Sequence, residues 1–157
     1  MSISVLGINP NPTIQATHLS PLPNVNTDVT IFTGIIECVF KGAATGVTRD
    51  TLNFNIRDPD TEEADLKINI FSFFGASGTV SLTSFAYDGV VNDALWAVDD
   101  TSVGLINLDR GTGTANVQVV ASLAVRGTGG IILRVNYTVF VRTTSGAIVV
   151  SLPPSGG

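Results

Sequence analysis

The chain has 157 residues, which suits one domain with a core of its own, and only 13% of them are charged, about half the share usual in soluble domains. A net charge of −5 argues against nucleic acid as a partner, because phosphate backbones are bound by clustered Lys and Arg. One cysteine and one histidine exclude an internal disulfide and leave too few nitrogen and sulfur ligands for a zinc site.

Residues 1–26 read as an extended, Pro-rich arm. Pro10, Pro12, Pro21 and Pro23 alternate with Asn9, Asn11, Asn24 and Asn26, and proline interrupts any continuous ladder. Strand-like pieces at 3–8 and 13–19 lie between them. The arm either forms an ordinary edge strand with turns or reaches a neighbouring subunit. The start Met1-Ser2-Ile3-Ser4 lacks the basic and apolar regions of a secretory signal, and no run of about twenty apolar residues offers a membrane span.

From residue 27 to 157 the pattern is one strand after another. Residues 29–40 are apolar on both faces, as a central strand or one lying at an interface would be, and Cys38 within them reads as a buried structural thiol. Residues 51–57 alternate, with Leu52, Phe54 and Ile56 inward. Strands are expected at 66–74 and, across a turn at 75–78, at 79–87. Phe71, Phe73 and Phe74 place rings on both faces of one strand, so one face should meet the core and the other a second layer or a partner. Val90, Val91, Ala94, Leu95 and Val98 fall at helical spacing, which predicts a short helix or turn over 88–98. A further strand covers 103–108.

The clearest signal is residues 112–142. Ala115, Val117, Val119, Ala121, Leu123 and Val125 share one face of a strand, and Ile131, Leu133, Val135, Tyr137, Val139 and Val141 share one face of the next. The joint Gly127-Thr128-Gly129-Gly130 predicts a hairpin between them. A last strand is expected at 148–152. Strands of a dozen residues span on the order of 40 Å and normally fold over a second sheet. The expected fold is therefore all-β: a two-sheet antiparallel sandwich of jelly-roll or immunoglobulin-like kind with eight or nine strands, a closed barrel being the alternative.

Chemistry is sparse. Asp58, Asp60, Glu62 and Asp65 form an acidic turn whose oxygens suit calcium, although Pro59 stiffens it, no glycine permits the sharp bend, and a solvated turn explains it as well. His18 lies in the arm with no nucleophile pattern nearby, so catalysis is not expected. The glycine clusters at 111–113 and 127–130 lack the helix and lysine of a phosphate loop. Tyr87 and Trp96, with Asp88, Asn92 and Asp93 between them, form the best small-ligand candidate, for which carbohydrate stacking on the aromatic rings is the natural chemistry.

Surface composition carries the functional expectation. With few charges, the outside must be covered by neutral hydroxyls and amides, or else part of it is dry because it meets other copies. Lys41 and Lys67 are the only lysines, and lysine is the residue most depleted from interfaces and most used to guard sheet edges. The first expectation is a non-enzymatic structural protein that self-assembles into a homo-oligomer, coat, tube or filament, a viral or phage particle being one natural setting. The second is a carbohydrate- or small-ligand-binding module, with or without a cation.

Overall fold

The computed structural model describes residues 3–9, 26–42, 47–58, 64–87, 95–126 and 129–148, with backbone alone at 3–9, 40–42, 48, 83–87, 95–96 and 129–131. It is an all-β sandwich. The strands are β1 (Ile3–Asn9), β2 (Thr27–Gly42), β3 (Val47–Asn55), β4 (Lys67–Asn69), β5 (Phe73–Tyr87), β6 (Leu95–Asp109), β7 (Thr114–Arg126) and β8 (Gly129–Thr144). The first sheet runs β1-β2-β8-β5; the second has β7 between β6 and the pair β3 and β4.

β3 and β4 are one edge strand interrupted by an excursion. Ile56 donates to the Val117 carbonyl at 2.9 Å and Leu66 donates back to Ile56 at 2.8 Å. Residues 57–65 therefore leave the edge and return to it, and the ladder on β7 resumes with Lys67 opposite Asn116.

The expected hairpin between residues 112–126 and 131–142 is not there. β7 pairs with β3, β4 and β6, whereas β8 pairs with β2 and β5. Alternation reveals which face of a strand is dry, and it carries no information about which strand lies alongside. The registers explain the joint: Gly42 pairs with Gly129 at one end of the β2–β8 ladder, and Val47 pairs with Arg126 at the adjoining end of the β3–β7 ladder. A two-stranded ribbon thus continues from one sheet into the other, the β2–β8 ladder in the first and the β3–β7 ladder in the second. This rolled ribbon connects a sandwich in the jelly-roll manner. The tight reversal lies elsewhere, between β6 and β7, where Asp109 pairs with Thr114.

Three other expectations are corrected. Residues 75–78 are not a turn, because β5 runs through them opposite β8; at Gly78 a side chain would run into Thr138, Val139 and Val103. Residues 95–98, expected in a helix or turn, begin β6, since pairing with β7 outweighs a weak helical spacing. Residues 70–72 form a 3-10 turn in place of strand, its first free N–H satisfied by the Asn69 side chain, which accepts from Phe71 N at 2.9 Å. The expected piece at 13–19, residues 88–94 and most of the last strand lie outside the described residues, while the strand-like piece at 3–8 becomes β1, paired with β2 of its own chain.

The core fills the gap between the sheets. Phe32, Ile36, Leu133, Val135 and Val139 of the first sheet meet Leu52, Phe54, Ile56, Val117, Val119 and Leu123 of the second. Tyr137 spans the interior and meets Phe54 with ring centroids 5.1 Å apart and planes tilted by 50°. Directly opposite Tyr137 on β2 is Gly34, where any side chain would occupy the space of the Tyr137 hydroxyl. Cys38 is fully buried, and burial, with the charge of Glu37 a smaller cause, pushes its thiol up to about 11. It is an inert structural thiol. Thr30 and Thr143, also buried, have hydroxyls that make no hydrogen bond.

Candidate functional site

Strand parity divides the rest of the surface into two outer faces of different chemistry. On the second sheet the outward rows include Thr51–Ser122–Asp100, Asn53–Val120–Ser102, Asn55–Gln118–Gly104 and Lys67–Asn116–Ile106. Hydroxyls and amides dominate that face. Its one described long-range ion pair joins Arg49 to Asp99 at 2.8 Å. Arg49 stands opposite Ala124 on β7, and Ala124 is buried although it faces outward, because the pair closes over its small side chain.

On the first sheet the outward rows are Val29–Arg142–Gly75, Ile31–Phe140–Ser77, Thr33–Thr138–Thr79 and Ile35–Asn136–Ser81, ending with Glu37–Arg134 and Val39–Ile132. Val29, Ile31, Ile35 and Val39 make an apolar stripe along β2, interrupted at Thr33 and Glu37, and it crosses to β8 at Phe140 and Ile132. Glu37 and Arg134 are directly opposed and joined at 2.9 Å, so they neutralise one another.

The stripe opens at one end into a recess of about 290 Å³ lined by Val29, Phe74, Gly75, Ser77, Phe140 and Arg142. A β-bulge makes it. Phe73 pairs with Thr143 and Gly75 with Arg142, so Phe74 is the extra residue with no partner on β8, and a bulge re-aims its side chain. Phe73 packs on the core, while Phe74 is left 53% exposed. The Arg142 guanidinium sits 5.7 Å from the Phe74 ring centroid, a cation–π distance. A side chain added at Gly75 would meet nothing within 4 Å, which leaves the floor open. The recess thus offers two aromatic rings, an aliphatic wall and one cation, a chemistry that binds apolar or aromatic groups.

The residues singled out from sequence are dispersed. Tyr87, opposite Ile131 at the end of β5, and Trp96, opposite Val125 near the start of β6, belong to different sheets; Asp88, Asn92 and Asp93 lie outside the described residues. Of the acidic turn, Asp60 and Glu62 lie outside as well. Asp58 donates its N–H to the Ala64 carbonyl at 2.8 Å where the excursion closes. Asp65 is held by protein donors: Asn55 Nδ2 at 2.6 Å, Asn116 Nδ2 at 3.2 Å and Arg57 Nη1 at 3.3 Å. This network ties the excursion to β3 and β7. Among the described residues no three His, Cys, Asp or Glu side chains gather as a metal site, and no helix is long and apolar enough to cross a membrane.

Another carboxylate has a clear local task. Asp109 accepts from Gly111 N and Thr112 Oγ1, each at 2.8 Å. The Thr112 hydroxyl first, then the N–H groups of Gly111 and Thr112, hold its carboxyl below the usual range. It shapes the β6–β7 turn, which accounts for the glycines at 111 and 113.

The recess was missed in sequence, though it had a signal. Phe73-Phe74-Gly75 breaks alternation with adjacent aromatics followed by glycine, and such a break inside a strand marks a bulge. Comparison with protein-family models, with curated proteins and with solved structures finds no match to this chain.

Proposed function

We propose that the chain is a non-enzymatic structural protein that assembles with copies of itself into a homo-oligomer, coat, tube or filament; a viral or phage particle is a setting such a chain suits. The observation that supports this reading is the outer face of the first sheet, where the half-buried Val29, Ile31, Ile35 and Val39 and the exposed Phe140 face away from the core. Apolar side chains on a second face do not help close the sandwich. They contribute when water is excluded from them, by about 25 cal/mol for each Å² covered.

The test is the mass of the full chain by light scattering across a micromolar dilution series. Self-assembly predicts multiples of one chain that dissociate on dilution. A single-chain mass at every concentration overturns the reading. Removing residues 2–26 would be a poor test, because β1 pairs with Ile35–Phe40 of β2 and its loss would bare that edge for new pairing.

A further inference from the structure

We infer that the surface through which two copies meet is the outer face of the first sheet, packed face to face with the same face of a second copy, with the recess at Phe74 and Phe140 as its anchor. The inference rests on the self-assembly reading and says where the contact lies.

Three observations converge on a second copy as the occupant. The first is area. Four strands about 4.8 Å apart, three of them long and rising about 3.3 Å per residue, present roughly 750 Å², close to the roughly 800 Å² per partner of a stable interface.

The second is charge. The described ionic side chains in the outward rows are Glu37, Arg134 and Arg142. Glu37 and Arg134 already neutralise each other, and Arg142 lies over the Phe74 ring. Glu37 and Arg134 therefore need no opposite charge from a partner, and Arg142 enters the contact with the Phe74 ring beside it. A strongly charged partner would find nothing complementary here. Arginine and aromatic rings are also enriched at interfaces.

The third is shape. The stripe follows β2, flanked by β8 along its length and by β1 from Ile35 to Phe40, so a twofold contact lays one stripe across the other and buries both at once. Sheets stack about 10 Å apart, and Phe74 and Phe140 stand at one end of each stripe, where the recess beside them receives side chains from the opposing sheet. Aromatic residues in such recesses are the usual energetic anchors of interfaces.

Sedimentation velocity on the full chain tests the inference, using Phe140→Lys and, on the outer face of the second sheet, Thr51→Lys. A lysine in the contact would be desolvated without a partner, so Phe140→Lys is expected to weaken association by about 100-fold or more. Thr51→Lys should leave it within about twofold of the parent. Circular dichroism checks that both variants fold; should Phe140→Lys fail to, Phe140→Thr, which suits a strand, takes its place with the same loss expected. If the parent associates and the variant at Phe140 associates equally well, the face is wrong while self-assembly stands. If the parent is a single chain at all concentrations, the self-assembly reading falls and this inference falls with it.

Discussion

The two outer faces of the sandwich answer the same shortage of charge in different ways. Both sheets bury the same kind of inner face, rich in Val, Leu and Ile. On the second sheet Thr51, Asn53, Gln118 and Ser122 supply neutral groups that water can solvate. The first sheet has hydroxyls on β5, at Ser77, Thr79 and Ser81, but presents Val29, Ile31, Ile35 and Val39 along β2 and Phe140 on β8. A low content of ionic side chains is therefore no single property of the surface. The second sheet's outer face mixes hydroxyls and amides with the Arg49–Asp99 pair, Asp100 and the exposed Val47 and Leu108, while the first sheet's carries an apolar row along β2.

The comparison presumes a closed interior common to both faces, and Tyr137→Ala breaks that presumption most severely. It removes the ring that meets Phe54 across the gap, with an expected loss of about 3 to 5 kcal/mol by analogy with other buried aromatics, read from urea denaturation. A loss below about 1 kcal/mol would mean that the sheets are not packed on each other at this point.

Cys38 tests the same interior by titration. Its folded thiol is raised from 9.0 to about 11, so the folded state disfavours the thiolate. Stability is then fully present below about pH 9 and declines as pH rises toward 11, because the unfolded chain loses its proton first. Replacing Cys38 by Ala should flatten that decline in stability measured by denaturation at pH 8 to 11. Persistence of the same slope in Cys38→Ala would assign it to other groups.

Thr143→Val sharpens the account of the first sheet from beneath its recess. The Thr143 hydroxyl is buried and unbonded, and valine keeps the shape while removing a desolvated polar group, for an expected gain of about 1 kcal/mol in the same denaturation assay. A loss of stability would show that the hydroxyl has a partner. The smallest effect belongs to the outer face of the second sheet: Arg49→Ala removes an exposed ion pair, worth less than about 1 kcal/mol and fading further in salt. A loss of more than about 2 kcal/mol would show that the pair supports the fold, beyond shielding Ala124.

The inward side of most strands was legible because alternation depends on each strand alone. Leu52, Phe54 and Ile56, the alternate residues from Ala115 to Val125 and those from Leu133 to Val141 are all buried as their spacing predicts. Partnership was not legible. The glycines at 127–130 fit a hairpin turn and a sheet-crossing corner equally well, and only the long-range registers of β2 with β8 and β3 with β7 separate the two. The helical spacing over 88–98 failed at 95–98 for the same reason: β7 offers a ladder that local spacing cannot anticipate. For the recess, the sequence placed one ring of Phe71, Phe73 and Phe74 on the core and another outside, as observed. It gave no sign that Phe140, far along the chain, would stand beside Phe74, because that neighbour is set by the β5–β8 register.

Hydroxyl-radical footprinting across a concentration series compares the two faces in one experiment. As concentration rises through the range where association appears, oxidation of Phe74 and Phe140 should fall at least several-fold. That of Val47 and Leu108, exposed residues of the second sheet, should stay constant. Equal labelling of all four at every concentration, or protection confined to the second sheet, would contradict the claim that the apolar face is the one that meets its own copy.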